Sequence, residues 1–204
     1  MTTVTGQFAV DFTGLGNANP YTNASLSYGT ADQHQILSAV NKPTGFTDRT
    51  YHYYNGSMLG TGTIKSKIEV GANPGAADKI YIWLVESSAG AGYSLEINGT
   101  SAILRTINDW AWTSAATLTS TTLGAAPASG DTIELWKDLS TNDLRVYINS
   151  SLQSALNATD SSTTSGLRFG HGFSPENGNA ANIKSFAGDG IAGSSGTSLA
   201  WIRA

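Results

Sequence analysis

The sequence predicts an all-β chain built as a two-sheet antiparallel sandwich. Three observations carry that expectation. Apolar residues recur with a period of two in run after run, residues 80–85 are apolar throughout, and an Asn-Gly pair separates two alternating runs. Period two places successive side chains on opposite faces of a strand, so each run reads as a strand with one face buried. A continuous apolar run bounded by polar residues reads instead as a strand covered on both sides.

In chain order, Val4, Phe8, Val10 and Phe12 share one face of an opening strand, with Gln7 and Asp11 on the other. Residues 32–40 hold Ile36, Leu37 and Val40 at helical spacing, although a strand there fits nearly as well. Ile64, Ile68 and Val70 then alternate with Lys65, Lys67 and Glu69, the pattern of a half-buried strand. Residues 80–85 form the central strand. Tyr93, Leu95 and Ile97 alternate with Ser94 and Glu96, and Asn98-Gly99 leads into residues 103–107. An Asn-Gly pair between two such runs predicts a hairpin with a type I′ turn, which needs positive φ at both central residues.

A second hairpin pairs residues 133–137 with 144–149. It points Ile133, Leu135, Leu144, Val146 and Ile148 inward, and carries Glu134, Trp136, Arg145 and Tyr147 on its other face. Across that hairpin Glu134 is expected to partner Arg145. Leu167, Phe169, His171 and Phe173 share a face of a further strand, and residues 183–187 form the last one. Residues 114–129 are low in complexity and read as an extended loop or loose strand, residues 188–198 as a glycine-rich loop. Neither divides the chain. Residues 1–204 are expected to form one domain, with 188–204 a Gly/Ser-rich loop and a short apolar C-terminal segment.

The bulk numbers narrow the function. A chain of 204 residues suits one β-sandwich and buries enough surface to need no staple, and it has no cysteine for disulfides or cysteine-based zinc sites. Net charge is -4 and only 13% of residues are charged, about half the usual share. The 11 basic residues are scattered, so the chain does not look like a nucleic-acid binder. No apolar run approaches the ~20 residues that a membrane helix needs. The opening Met1-Thr2-Thr3-Val4 has neither a basic start nor an apolar core. The expectation is synthesis in a cytoplasm without a secretory signal.

The order of these pieces resembles the second half of concanavalin A-like (laminin-G-like) jelly-roll sandwiches. The segments that carry it are Tyr93-Ser-Leu-Glu-Ile-Asn-Gly, Gly130-Asp-Thr-Ile-Glu-Leu-Trp, Leu144-Arg-Val-Tyr-Ile-Asn and the passage from Asp160-Ser-Ser to Gly166-Leu-Arg-Phe-Gly. The resemblance implies a jelly roll used mostly to bind surfaces, glycans or proteins, and in some branches to cut glycans. A looser resemblance, of composition alone, is to virion accessory proteins of tailed bacteriophages. It implies a subunit that decorates a capsid or sits on a tail and is localised to the virion.

Tests for catalysis are negative in sequence. Laminarinase-type relatives place Glu-x-Asp-x-x-Glu on one strand; the five glutamates, at 69, 86, 96, 134 and 176, do not have that spacing. The Gly-x-Gly-x-x-Gly match at 188–193 lacks the strand–turn–helix context and the acidic residue of a dinucleotide site. His34, His52 and His171 are far apart, which predicts packed or surface histidines. No cofactor is expected. Calcium stays open because Asp109, Asp160 and Asp189 lie in polar segments, but no ligand set can be assigned.

Two segments are candidates for binding. Asn108-Asp109-Trp110-Ala111-Trp112 follows a strand and puts Trp110 and Trp112 on one face beside Asn108 and Asp109. Flat rings that cover sugar C–H patches, with amide and carboxylate groups for the hydroxyls, are the chemistry of glycan recognition; the same rings can equally fill the core. Trp201 and Ile202 end an apolar tail that either closes a sheet or docks on a partner. The sequence therefore predicts a non-enzymatic binding protein. The leading expectation is capsid decoration, through contact with a protein lattice such as a major capsid protein or with further copies of the chain. The alternative is a carbohydrate-binding module or tail adhesin for host surface glycan.

Overall fold

The computed structural model describes residues 6–11, 26–28, 52–54, 58–72, 79–86, 90–108, 115–163, 165–174 and 182–191. They contain fourteen strands: β1 (Phe8–Asp11), β2 (Leu26–Tyr28), β3 (His52–Tyr54), β4 (Thr63–Ala72), β5 (Lys79–Glu86), β6 (Gly92–Asn98), β7 (Ser101–Ile107), β8 (Ala116–Thr122), β9 (Thr132–Asp138), β10 (Asp143–Ile148), β11 (Ser151–Leu152), β12 (Ala158–Thr159), β13 (Leu167–Ser174) and β14 (Asn182–Asp189). The one helical piece among them is a 3-10 turn at Ser154–Leu156. The segment 32–40, with its helical spacing, lies outside the described residues.

The strands form two antiparallel sheets. The first runs β1-β14-β4-β9-β10-β11, with β12 also paired to β10; the second runs β2-β3-β13-β5-β6-β7-β8. Ile68, Val70, Ile133, Leu135, Val146 and Phe186 of the first sheet meet Ile82, Leu84, Tyr93, Leu95, Leu104 and Phe169 of the second in one buried cluster. Among them Ile68, Val70, Tyr93, Leu95, Ile133, Leu135, Val146 and Phe169 are positions that the period-two pattern sets on one face of their strands. Phe169 stacks on Tyr54 with centroids 4.9 Å apart and lies 5.8 Å from Phe186. The layers come close where side chains are small: Ser66 Oγ donates to the Gly170 carbonyl at 2.7 Å. A Cβ on Gly188 would lie 2.1 Å from the Phe169 ring, so only glycine fits there.

Two local expectations need correction, and an alternative left open between them is decided. The β6–β7 turn is centred one residue later than Asn98-Gly99, because Asn98 pairs with Ser101 and leaves Gly99-Thr100 between the strands. Gly99 has φ of 56° and neither Asn98 nor Thr100 is positive, which is the requirement of a type II′ turn. Of the two forms expected for the low-complexity stretch, loop or loose strand, residues 116–122 take the strand as the edge strand β8, whose threonines suit a half-wet pleat. Residues 188–189 continue β14 rather than opening a loop.

Lys137 is fully buried among the inward positions of β9. Its Nζ donates to the carbonyls of Asn142, at 2.9 Å, and Asp160, and lies 4.9 Å from the centre of the Tyr93 ring. The Tyr93 hydroxyl donates to Asp160 Oδ1 at 2.8 Å and lies 3.0 and 3.1 Å from the Asp160 and Thr163 carbonyl oxygens. Burial, followed by the bond to Asp160, pushes the Tyr93 hydroxyl up to about 12. Burial alone lowers the Lys137 ammonium, against the pull of Asp160 and its neighbours. This polar plug ties β6 and β9 to the loop that enters β13.

Candidate functional site

The central strand β5 is buried along nearly its whole length. Ile80, Ile82 and Leu84 point into the sandwich, so Tyr81, Trp83 and Val85 leave the sheet on its other side. All three are buried and form a second apolar cluster with Ile107. Tyr81 and Trp83 stack with centroids 5.0 Å apart and planes inclined by 29°.

Register places polar groups beside these rings. Trp83 is opposite Ser94, which is opposite Arg105; Tyr81 is opposite Glu96. Glu96 is only 6% exposed yet charged, and its carboxylate lies 3.4 Å from Lys79 Nζ and 3.8 Å from Arg105 Nε. Arg105 Nη1 donates to Thr117 Oγ1 at 2.9 Å on the edge strand β8. Ser94 is fully buried, and its Oγ has no hydrogen-bond partner among the described residues. The outer face of the second sheet thus offers two aromatic rings, a carboxylate fixed between two cations, and an unsatisfied hydroxyl. Lys79 and Arg105 keep 21% and 25% of their side chains exposed, so they are the groups that solvent reaches.

Of the sequence-predicted glycan segment, Asn108 alone is among the described residues. Asn108 is exposed at the end of β7. Asp109, Trp110 and Trp112 lie outside the described residues, but Ile107 and Ala115, which flank them, both pack on the Tyr81–Trp83 cluster. Trp201 and Ile202 also lie outside the described residues. Sequence reasoning put Ser94 and Glu96 on the polar side of β6 but did not join them to Tyr81, Trp83 and Arg105. The turn after Asn98 held that signal, since it fixes which residues of β6 and β7 are opposite.

Other candidates resolve differently. Glu134 does not pair with Arg145: register sets Glu134 against Tyr147 and Trp136 against Arg145. Glu134 Oε2 instead accepts from Trp136 Nε1 at 2.7 Å, and Arg145 Nη2 donates to Asp143 Oδ2 at 3.1 Å. Lys65 Nζ sits 3.8 Å from the centre of the Trp136 ring. His171 is buried, 4.5 Å from the Phe186 ring. Asp189 pairs with Lys67 at 2.9 Å and accepts from the Gln7 backbone, while Asp160 is held by Tyr93 and Ser162. Among the described residues no three acidic or histidine side chains gather as a metal site would require.

No family model matches the chain, and no curated protein does either. Solved structures do. The carbohydrate-recognition domain of Emp47p superposes with a TM-score of 0.61 at 13% identity, covering 91% of this chain and 96% of that one. A structure described under endo-acting O-glycanases that initiate mucin breakdown, from the human gut microbiota, gives 0.57 at 10% identity, covering 90% and 98%. The carbohydrate-binding module CBM66 from Bacillus subtilis gives 0.50 at 13% identity, covering 82% and 96%. At such identities the likeness is one of fold: the chain is a two-sheet antiparallel jelly-roll sandwich.

Proposed function

We propose that this chain is a non-enzymatic carbohydrate-binding domain that engages glycan on the outer face of its second sheet. The observation that carries the reading is the row Trp83, Ser94, Arg105 beside Tyr81 and the Lys79–Glu96–Arg105 cluster. It combines an aromatic floor with an acceptor, cationic donors and a free hydroxyl, the groups that orient sugar rings. Two of the similar structures, the Emp47p domain and CBM66, are described as carbohydrate-recognition or carbohydrate-binding domains, which supports the class. Tyr81, Trp83 and Ser94 serve as a buried floor, and direct contact falls to Arg105 and Lys79.

The absence of catalysis is part of the proposal. Glycoside hydrolysis uses two carboxyl groups about 5–9.5 Å apart. Glu96 is the one carboxylate on this face among the described residues, and two cations hold it. Capsid decoration rests on composition alone, and neither the described residues nor the similar structures add to it. A glycan array followed by tryptophan-fluorescence titration tests the reading. Arg105→Ala is expected to weaken the best glycan at least tenfold, about 1.4 kcal/mol, with the fold intact. An array with no saturable binder, or equal affinity in Arg105→Ala and Ser94→Ala, would falsify it.

A further inference from the structure

On the opposite sheet a cleft of about 350 Å³ is lined by Asp143, Leu144, Arg145, Asn157, Ala158 and Thr159. Strand pairing builds its walls, with Asp143 opposite Thr159 and Leu144 opposite Ala158, and Asn157 ends the 3-10 turn beside them. The lining is polar but balanced in charge. Asp143 Oδ2 accepts from Arg145 Nη2 and Asp143 Oδ1 accepts from Thr159 Oγ1, both at 3.1 Å. Asn157 Oδ1 is buried and has no hydrogen-bond partner among the described residues. Arg145 is 49% exposed, and a guanidinium has five N–H groups, so donors remain after Asp143 and the Tyr147 side chain are served. On the next strand Trp136, opposite Arg145, lies 4.4 Å from the Tyr147 ring and adds an aromatic surface.

These groups select a ligand by chemistry. An anion meets Asp143 and a cation meets Arg145, so neither is favoured over an uncharged partner. Hydroxyl groups fit better, since each can donate to Asn157 Oδ1 or Asp143 while accepting from Arg145. The volume lies at the small end of ligand pockets, roughly 300–1,000 Å³, which suits one or two sugar rings. We propose that this cleft is a second saccharide-binding site for a neutral mono- or disaccharide unit, on the sheet opposite the first. It stands on different residues from the Tyr81–Trp83 face and does not depend on that reading.

The test is amide NMR on the isotope-labelled full chain, titrated with maltose, cellobiose, lactose and a mannobiose. At least one is expected to shift the Asn157, Ala158 and Thr159 amides saturably, with Kd on the order of 1 mM. The double variant Asn157→Ala, Arg145→Ala should weaken that binding at least tenfold and leave any shifts at Ser94 and Arg105 unchanged. Shifts confined to Ser94 and Arg105 overturn the cleft and leave the first site standing. Shifts confined to the cleft support it. No shift at the cleft with any of the four sugars overturns the assignment.

Discussion

Exchanging Glu96 for glutamine keeps the side chain's shape and removes the charge between Lys79 and Arg105. At an effective dielectric near 20, the separations of 3.4 and 3.8 Å give roughly 4–5 kcal/mol of gross attraction for each pair. Most of that offsets the desolvation of a carboxylate that is only 6% exposed. Breaking a fully buried pair costs about 3–5 kcal/mol, and an exposed one 0–1. Lys79 and Arg105 are partly wet, so Glu96→Gln should lose about 2 kcal/mol, between those limits. Urea denaturation reads this as a lower midpoint at constant slope. Lys79→Met should cost less in the Glu96→Gln background than alone, because its partner has gone. A Glu96→Gln protein within about 0.5 kcal/mol of the parent, or strictly additive single and double variants, would show that the three charges do not act as a unit.

Gly188→Ala should destabilise by about 1–3 kcal/mol or more in thermal melts, since its methyl meets the Phe169 ring at 2.1 Å; adding Phe169→Leu should recover part of the loss. Tyr93→Phe removes the hydroxyl that serves Asp160 and Thr163 and should cost about 1–3 kcal/mol by the same measurement. For acid stability the Asp160 carboxyl is informative. Burial raises it, but bonds from Ser162 and Tyr93 and the Lys137 charge outweigh burial and leave it below its ordinary value. A depressed carboxyl contributes stability above its unfolded value, near 3.9, that is lost as pH falls through the folded value. Asp160→Asn should therefore flatten the decline in stability below about pH 4, and an unchanged acid limb would exclude this role. Asp138 and Asp143 are depressed as well, chiefly by side-chain bonds from Ser140 and Thr159, so part of the slope should persist.

Most of the fold was legible because alternation and register are local. Period two assigned Ile64, Ile68, Ile133, Leu135, Leu144 and Val146 to the core, and the unbroken run 80–85 marked the strand with both faces buried. The limit came with choices that neighbours make. Glu134 had two cationic or polar neighbours in reach, and the indole N–H of Trp136 took it rather than Arg145. Lys137 continues the inward parity of Ile133 and Leu135, but a charge there is readable only once the carbonyls of Asn142, in the adjoining turn, and of Asp160, 23 residues on, are seen to receive it. The candidate face needed three strands in register before Tyr81, Trp83, Ser94, Glu96 and Arg105 became one surface. No spacing along the chain records that grouping.

The ammonium of Lys137 fills the role that a captured ion would otherwise play at that end of the sandwich, gathering carbonyls from two separate loops. A charge tethered by a covalent stem cannot be dialysed away or stripped by a chelator. The junction between β9, β6 and the entry to β13 therefore stays tied irrespective of the salts around it. Burial holds the Lys137 ammonium below the ordinary lysine range, so the folded chain gives up that proton before the unfolded chain does, and raising pH through this window favours the fold.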